Sequence, residues 1–248
     1  MRPGAPSLRA FTLIELLVVS AVIALLVGIL LPSLAAARRS ARCLKCLSNV
    51  RSLEIAHTLY ANANKECFID VGLAHGGVGD ETLSWVNTLN LYYDTPLAIM
   101  SPGDQSAYWP AEQGGQGILI NGKARRTSYG VNNWLSRTFG PGVYPREPFD
   151  RFSKVQNPSA TIQFLLMTEE GSFAVSDHVH AEGWDPGIPD APPAIASGEV
   201  KTHAWGGRAK SWEAKSNFGF LDGHAETRSF RSVFTDRARN NFDPTVAH

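Results

Sequence analysis

From Phe11 to Leu31 the chain is apolar at every position except Thr12, Glu15 and Ser20. These 21 residues make roughly 30 Å of helix at ~1.5 Å per residue, so the pattern predicts a transmembrane helix over 11–31. The ten residues before it are polar and carry Arg2 and Arg9. After Ser33 the pattern becomes amphipathic. Leu44, Leu47, Val50, Leu53, Ala56, Leu59, Tyr60 and Ala63 recur at three- and four-residue steps, with Arg and Lys on the other face. That predicts a helical continuation over 32–65 that packs on a folded domain, giving a rod of roughly 80 Å from Phe11 to Ala63. Pro32 removes the hydrogen bond to the Gly28 carbonyl, which marks either a weak point in one helix or the end of it.

Residues 66–248 read as an α+β domain with long loops. Leu83 to Leu89 predicts a short helix. Ala160 to Met167 is apolar and β-branched enough for a central strand, with Asn157-Pro158-Ser159 turning into it. Asp222-Gly223 lies between two extended runs, 217–221 and 224–228, and predicts a hairpin with a type I′ turn.

Two readings of the N-terminus compete. Ala35-x-Ala37 resembles the cleavage site of an ordinary signal peptide, but the apolar run exceeds the ~7–15 residues of such a segment. Glu15 decides between them, because a carboxylate within a span costs ~2.5–3.5 kcal/mol and is seldom present without a partner. A cut before Phe11 creates an α-amine one helical turn from Glu15, in the same chain or a neighbouring one. Ala10-Phe11-Thr12-Leu13-Ile14-Glu15-Leu16-Leu17 resembles the leader of type IV prepilins and type II secretion pseudopilins. The resemblance implies cleavage by a prepilin peptidase between Ala10 and Phe11, with 1–10 as the leader, and N-methylation of Phe11. It assigns assembly roles to Glu15 and Pro32. The residue before the cut is Ala10, where the family usually has Gly.

Segments of 46–53, 60–65 and 128–132 resemble a subgroup of pseudopilin-like proteins with expanded C-terminal domains, here 66–248. His203 followed by Asp222-Gly223-His224 resembles the subgroup's His…Asp-Gly signature, with Gly206 to Glu213 as an apparent insertion. The fold implied is pilin-like α+β: a long N-terminal helix, membrane-spanning in its first half, packed on a small antiparallel sheet. The function implied is a structural subunit of a type II secretion pseudopilus or related type IV filament. Its partners would be the prepilin peptidase, other pilin-like subunits and inner-membrane lipid. The chain would cross the inner membrane once, with the leader cytoplasmic and the domain outside. Arg38, Arg39, Arg42 and Lys45 follow the span and outnumber Arg2 and Arg9, so counting basic residues alone argues for the opposite orientation. The alternative is an envelope-anchored protein that borrows the leader for export and binds glycan or secreted cargo through its C-terminal domain.

Composition removes other classes. Lys+Arg and Asp+Glu both number 23, so no charge excess points to nucleic acid. Cys43, Cys46 and Cys67 all lie in the first third, which does not describe a disulfide-stapled domain. Cys43-x-x-Cys46 lacks a second such pair, so a redox or metal half-site is the minor reading. No nucleophile elbow, phosphate loop or HExxH is present, so no enzyme is expected. Asp177, His178, His180, His203, Asp222 and His224 have suitable chemistry for a metal site, with His203, Asp222 and His224 as the candidates in the signature. The plainer reading makes Asp222 a turn residue and the histidines loop residues. No cofactor is expected, apart from a calcium ion, which the pseudopilin resemblance leaves open, or another divalent ion. Trp109, Trp134, Trp184, Trp205 and Trp212 lie in Gly/Pro-rich segments, either as pegs of a thin core or as exposed binding aromatics.

Overall fold

The structure is a computed structural model that describes residues 13–74, 80–93, 99–137 and 149–248. The proposed leader and the Ala10–Phe11 cleavage and methylation site lie outside the described residues. The chain divides into two compact units, Met1–Ala41 and Arg42–His248.

The first unit is the start of helix α1 (Leu13–Ala63, 51 residues). The helix runs unbroken past Pro32, so the reading in which it stops there is corrected. An interior proline costs ~3 kcal/mol, but the flanking Leu and Ala residues are among the best helix formers and keep both sides helical. Every residue from Leu13 to Ala41 is exposed. Two of its serine hydroxyls are satisfied within the helix: Ser20 donates to the Leu17 carbonyl at 2.9 Å and Ser33 to that of Leu30 at 2.8 Å.

The second unit is built on a five-stranded sheet: β1 (Tyr129–Asn132), β2 (Ile162–Leu166), β3 (His178–Val179), β4 (Lys215–Phe220) and β5 (Ala225–Ser229), in the order β3-β1-β2-β4-β5. The sheet is mixed, which corrects the antiparallel expectation. β4 occupies the free side of β2, so β3 adds beyond β1, and both β1 and β3 then run opposite to β2 and parallel to each other. The predicted central strand is β2, in the middle of the five. All five of its residues are buried because both faces of the sheet are covered, which explains its near-continuous apolar sequence. Ile162 pairs with Phe220 and Leu165 with Phe218, an offset of one residue. This bulge turns Ile162 and Leu165 to one face and Phe164 and Leu166 to the other.

On the Phe164 face sits the second stretch of α1 with a short helix, α2 (Trp85–Thr88), inside the segment where one was predicted. The Ile162 face carries an aromatic core of Trp184, Phe218, Phe220, Phe230, Phe234 and Phe242. The buried stripe of α1 is Cys46, Asn49, Val50, Leu53, Glu54, Ala56, His57 and Ala61. Leu44 and Leu59, expected inside, are 66% and 50% exposed, and Ala63 is exposed too. Hydropathy misplaced the stripe because three of its members are polar. The helix approaches β4 at Gly219, where a Cβ would lie 2.5 Å from Glu54 Oε1 and 2.6 Å from Val50 Cγ1.

Candidate functional site

The candidate assembly segment is the exposed apolar part of α1. It is long and apolar enough to cross a membrane, and its most apolar stretch is wholly unburied. Leu13 is 86% exposed and Leu25 65%. Glu15 stands in the first helical turn as that turn's acidic residue, and Pro32 lies within the helix. Helical spacing places Val18 and Val19 beside Glu15 within an otherwise apolar stretch, so any medium that covers this segment must also accommodate a carboxyl group.

The sequence reading missed the polar groups that α1 carries into the domain. Glu54 is 1% exposed, and its Oε1 accepts from the backbone N–H of Phe164 at 3.3 Å. Burial drives its pKa well above the usual carboxylate value; the Phe164 N–H opposes this and the charge of Asp222 adds to it. His57 is fully buried, with Phe68 4.8 Å and Phe152 5.8 Å from its ring. Burial alone pushes its pKa down to about 3, so the ring is neutral at ordinary pH. Burial likewise raises the Cys46 thiol, to which the Tyr129 hydroxyl donates at 3.5 Å. A signal existed: 46, 50, 53 and 57 share one helical face, so the phase set by Cys46, Val50 and Leu53 carries His57 inward.

The six metal candidates separate. Both oxygens of Asp177 are engaged by protein donors: the Gly72 and Leu73 amides at 3.1 Å, the Ser84 hydroxyl at 2.5 Å and the His178 ring at 2.9 Å. It pins the chain around residue 72 and the start of α2 against the end of β1. His203 is exposed beside a cavity of about 310 Å³ shared with Glu169, Glu170 and Lys201. Among the described residues it shares no hydrogen bond or ion pair with Asp222 or His224. Those two bond each other at 2.5 Å, and the other nitrogen of His224 meets Glu226 at 3.3 Å. Among the described residues no three His, Cys, Asp or Glu side chains are grouped to hold a metal ion.

Asp222 and Gly223 sit in the loop joining β4 to β5. The Gly223 amide donates to the Phe220 carbonyl at 2.8 Å and the Phe220 amide to the His224 carbonyl at 2.9 Å. This is a three-residue loop, a turn followed by a left-handed residue, and not the predicted two-residue type I′ turn. Only Gly223 has positive φ, +94°, so Asp222 is free to close a side-chain turn onto the His224 amide at 3.1 Å. Trp109, Trp134 and Trp184 are core pegs, whereas Trp205 and Trp212 are half-buried.

No protein-family model, curated protein or solved structure matches this chain.

Proposed function

We propose that this chain is a structural subunit of a type II secretion pseudopilus or a related type IV filament, anchored in the membrane by the first part of α1. The supporting observation is that Leu13 to Ala41 forms one continuous, fully exposed helix whose apolar stretch contains a single acid, Glu15. Together with the Ala10-Phe11…Glu15 pattern, this suits a helix that moves from lipid into a bundle of its own kind. There the amine of an incoming Phe11 is costly unless paired. Glu15 of a neighbouring helix is the acid within reach, and the pair would set the axial stagger of subunits, the role in which buried polar pairs are best attested.

The test is to coexpress wild-type and Glu15→Ala chains, then measure the processed fraction and the crosslinked multimers. Glu15→Ala is expected to insert and be cut normally, because it makes the span more apolar, but to lose most multimers. Normal multimers would favour the anchored protein that borrows its leader. A mature chain that begins at Arg38 rather than at N-methylated Phe11, read by N-terminal mass, would overturn both.

A further inference from the structure

Cys43 and Cys46 stand three residues apart on α1, at the turn where the helix first meets the sheet, and the filament reading uses neither thiol. Cys46 is the first buried residue of the helix, and Cys43 is half-buried. One side chain touches both. Asn217 of β4 is fully buried, and its Oδ1 lies 3.7 Å from Cys43 Sγ. The same side chain reaches Cys46 Sγ, as does that of Ser101, and the Tyr129 hydroxyl donates to that sulfur at 3.5 Å. Thr227 Oγ1 lies 3.5 Å from Cys43 Sγ and donates to Asn217 Oδ1 at 2.6 Å. Two thiols therefore converge on one buried amide, the first partly open to solvent and the second closed off.

Helical spacing puts the Cα atoms of residues i and i+3 about 5 Å apart, inside the ~4.4–6.8 Å that a disulfide spans. Their Cβ atoms are ~5–6 Å apart, where a disulfide takes ~3.5–4.5 Å, so closing one requires the turn to tighten by about 1–2 Å. The turn has a means of yielding. Asn217 Nδ2 donates to the Cys43 carbonyl at 3.2 Å, so this carbonyl keeps a partner if its helical hydrogen bond stretches. The strain that remains makes such a bond easy to reduce. Cys67 is out of reach: it follows the end of α1 at Ala63, and about 25 Å of helix separates Cys46 from that end.

We propose that Cys43 and Cys46 are a reversible thiol–disulfide modification site, oxidised by exchange with a small disulfide compound. The Cys43 thiolate attacks one sulfur of the compound, forms a mixed disulfide and releases the other half as a thiol. The Cys46 thiolate then attacks the Cys43 sulfur, the mixed bond breaks, and the second half leaves as a thiol. The two cysteines give up two electrons and two protons, and the compound takes up both. Access sets the order. Burial shields Cys46 and pushes its thiol up, so it does not react first; hydrogen bonds from Tyr129, Asn217 and Ser101 oppose that shift and favour its thiolate once the mixed disulfide stands one turn away.

The test is to incubate the full, folded chain in detergent micelles with excess oxidised glutathione, quench with acid, cap the remaining thiols with N-ethylmaleimide in urea, and map tryptic peptides by mass. Trypsin cuts after Arg42, Lys45 and Arg51, so the disulfide would hold peptides 43–45 and 46–51 together, and dithiothreitol should separate them. Cys46→Ser should stop with glutathione attached to Cys43. Cys43→Ser should slow the reaction of Cys46 with glutathione by about tenfold or more, because a buried thiol is poorly reached. A wild-type chain that keeps its thiols, that holds glutathione on Cys43 without closing, or that pairs either residue with Cys67 or with a second chain would overturn the proposal. So would linked peptides that form only in the urea-unfolded chain, or an undiminished rate at Cys46 in Cys43→Ser.

Discussion

The two stretches of α1 obey opposite rules. From Leu13 to Ala37 the helix is almost entirely hydrocarbon, and all of it to Ala41 is exposed. From Arg42 to Ala63 it leaves Leu44, Ile55 and Leu59 outside and takes Asn49, Glu54 and His57 inside. Exposed apolar surface costs ~25 cal/mol per Å² in water, so the first stretch makes physical sense only against lipid or other apolar helices. The second answers to a protein interior, where polar groups are admitted if geometry serves them. Asn49 donates to the Met100 carbonyl at 3.0 Å, and Glu54 meets the backbone of β2. The two stretches of one helix therefore present opposite surfaces, apolar side chains exposed in the first and polar ones buried in the second.

Removing residues 1–41 should produce the largest change. The remaining chain, Arg42–His248, is expected to stay in the supernatant of detergent-free lysate, while the full chain sediments with membranes. If the shortened chain also sedimented with membranes, the apolar stretch would not be the membrane element.

The next contrast is between two glycines of the two regions. At Gly219 a Cβ would press on Glu54 and Val50. Gly219→Val should therefore destabilise the domain by about 3 kcal/mol, read from the urea midpoint of the soluble chain. At Gly28 nothing lies within 4 Å of the added carbon. Gly28→Ala should leave the domain's midpoint unchanged and strengthen only the helix, by ~1 kcal/mol.

Acid should separate the regions as well, because the interior groups titrate far from their ordinary values. His57 has an unfolded pKa of ~6.5 and a folded one of about 3, so the unfolded chain binds the extra proton between these values. Its contribution is intact above pH ~6.5 and is lost progressively as pH falls toward 3, reaching about 2 kcal/mol by pH 5. Glu54 has the opposite sign: its raised folded pKa gives stability that is present below the unfolded value and lost as pH rises through the folded one. His57→Phe should flatten the acid limb of a stability–pH curve, and Glu54→Gln the alkaline limb. An unchanged acid limb in His57→Phe would mean that the imidazole is not held neutral.

What was legible in the sequence follows from the same contrast. The long apolar helix, with its acid and its proline, was visible because hydropathy is a one-residue property and runs uniformly through that stretch. β2 was visible because burial on both faces makes its residues apolar throughout. The position of the hairpin was visible from Asp222-Gly223, but the loop type was not, because one positive-φ glycine serves both a two- and a three-residue loop. The parallel edge strand β3 is two residues long, shorter than any periodicity test resolves. Asp177 was singled out as a metal ligand, yet its partners, Gly72, Leu73 and Ser84, lie about a hundred residues away and contribute mainly backbone amides, which no side-chain motif encodes.

The smallest effect expected on the domain is the most informative about assembly. Ile55 and Leu59 are 51% and 50% exposed and lie four residues apart, on one helical face directed away from the sheet. Ile55→Lys and Leu59→Lys remove little buried area and strand no polar group, so each should change domain stability by less than ~0.5 kcal/mol. Lysine is also a good helix former, so the helix itself gains or loses little. In a filament these residues would lie among neighbouring subunits, and two ammonium groups would have to lose water on packing. Crosslinked multimers of the double variant should therefore fall, while melting and membrane insertion remain those of the wild type. A drop in melting temperature would show that this face is covered within the domain. Unchanged multimers would confine subunit contacts to the apolar stretch before Arg42.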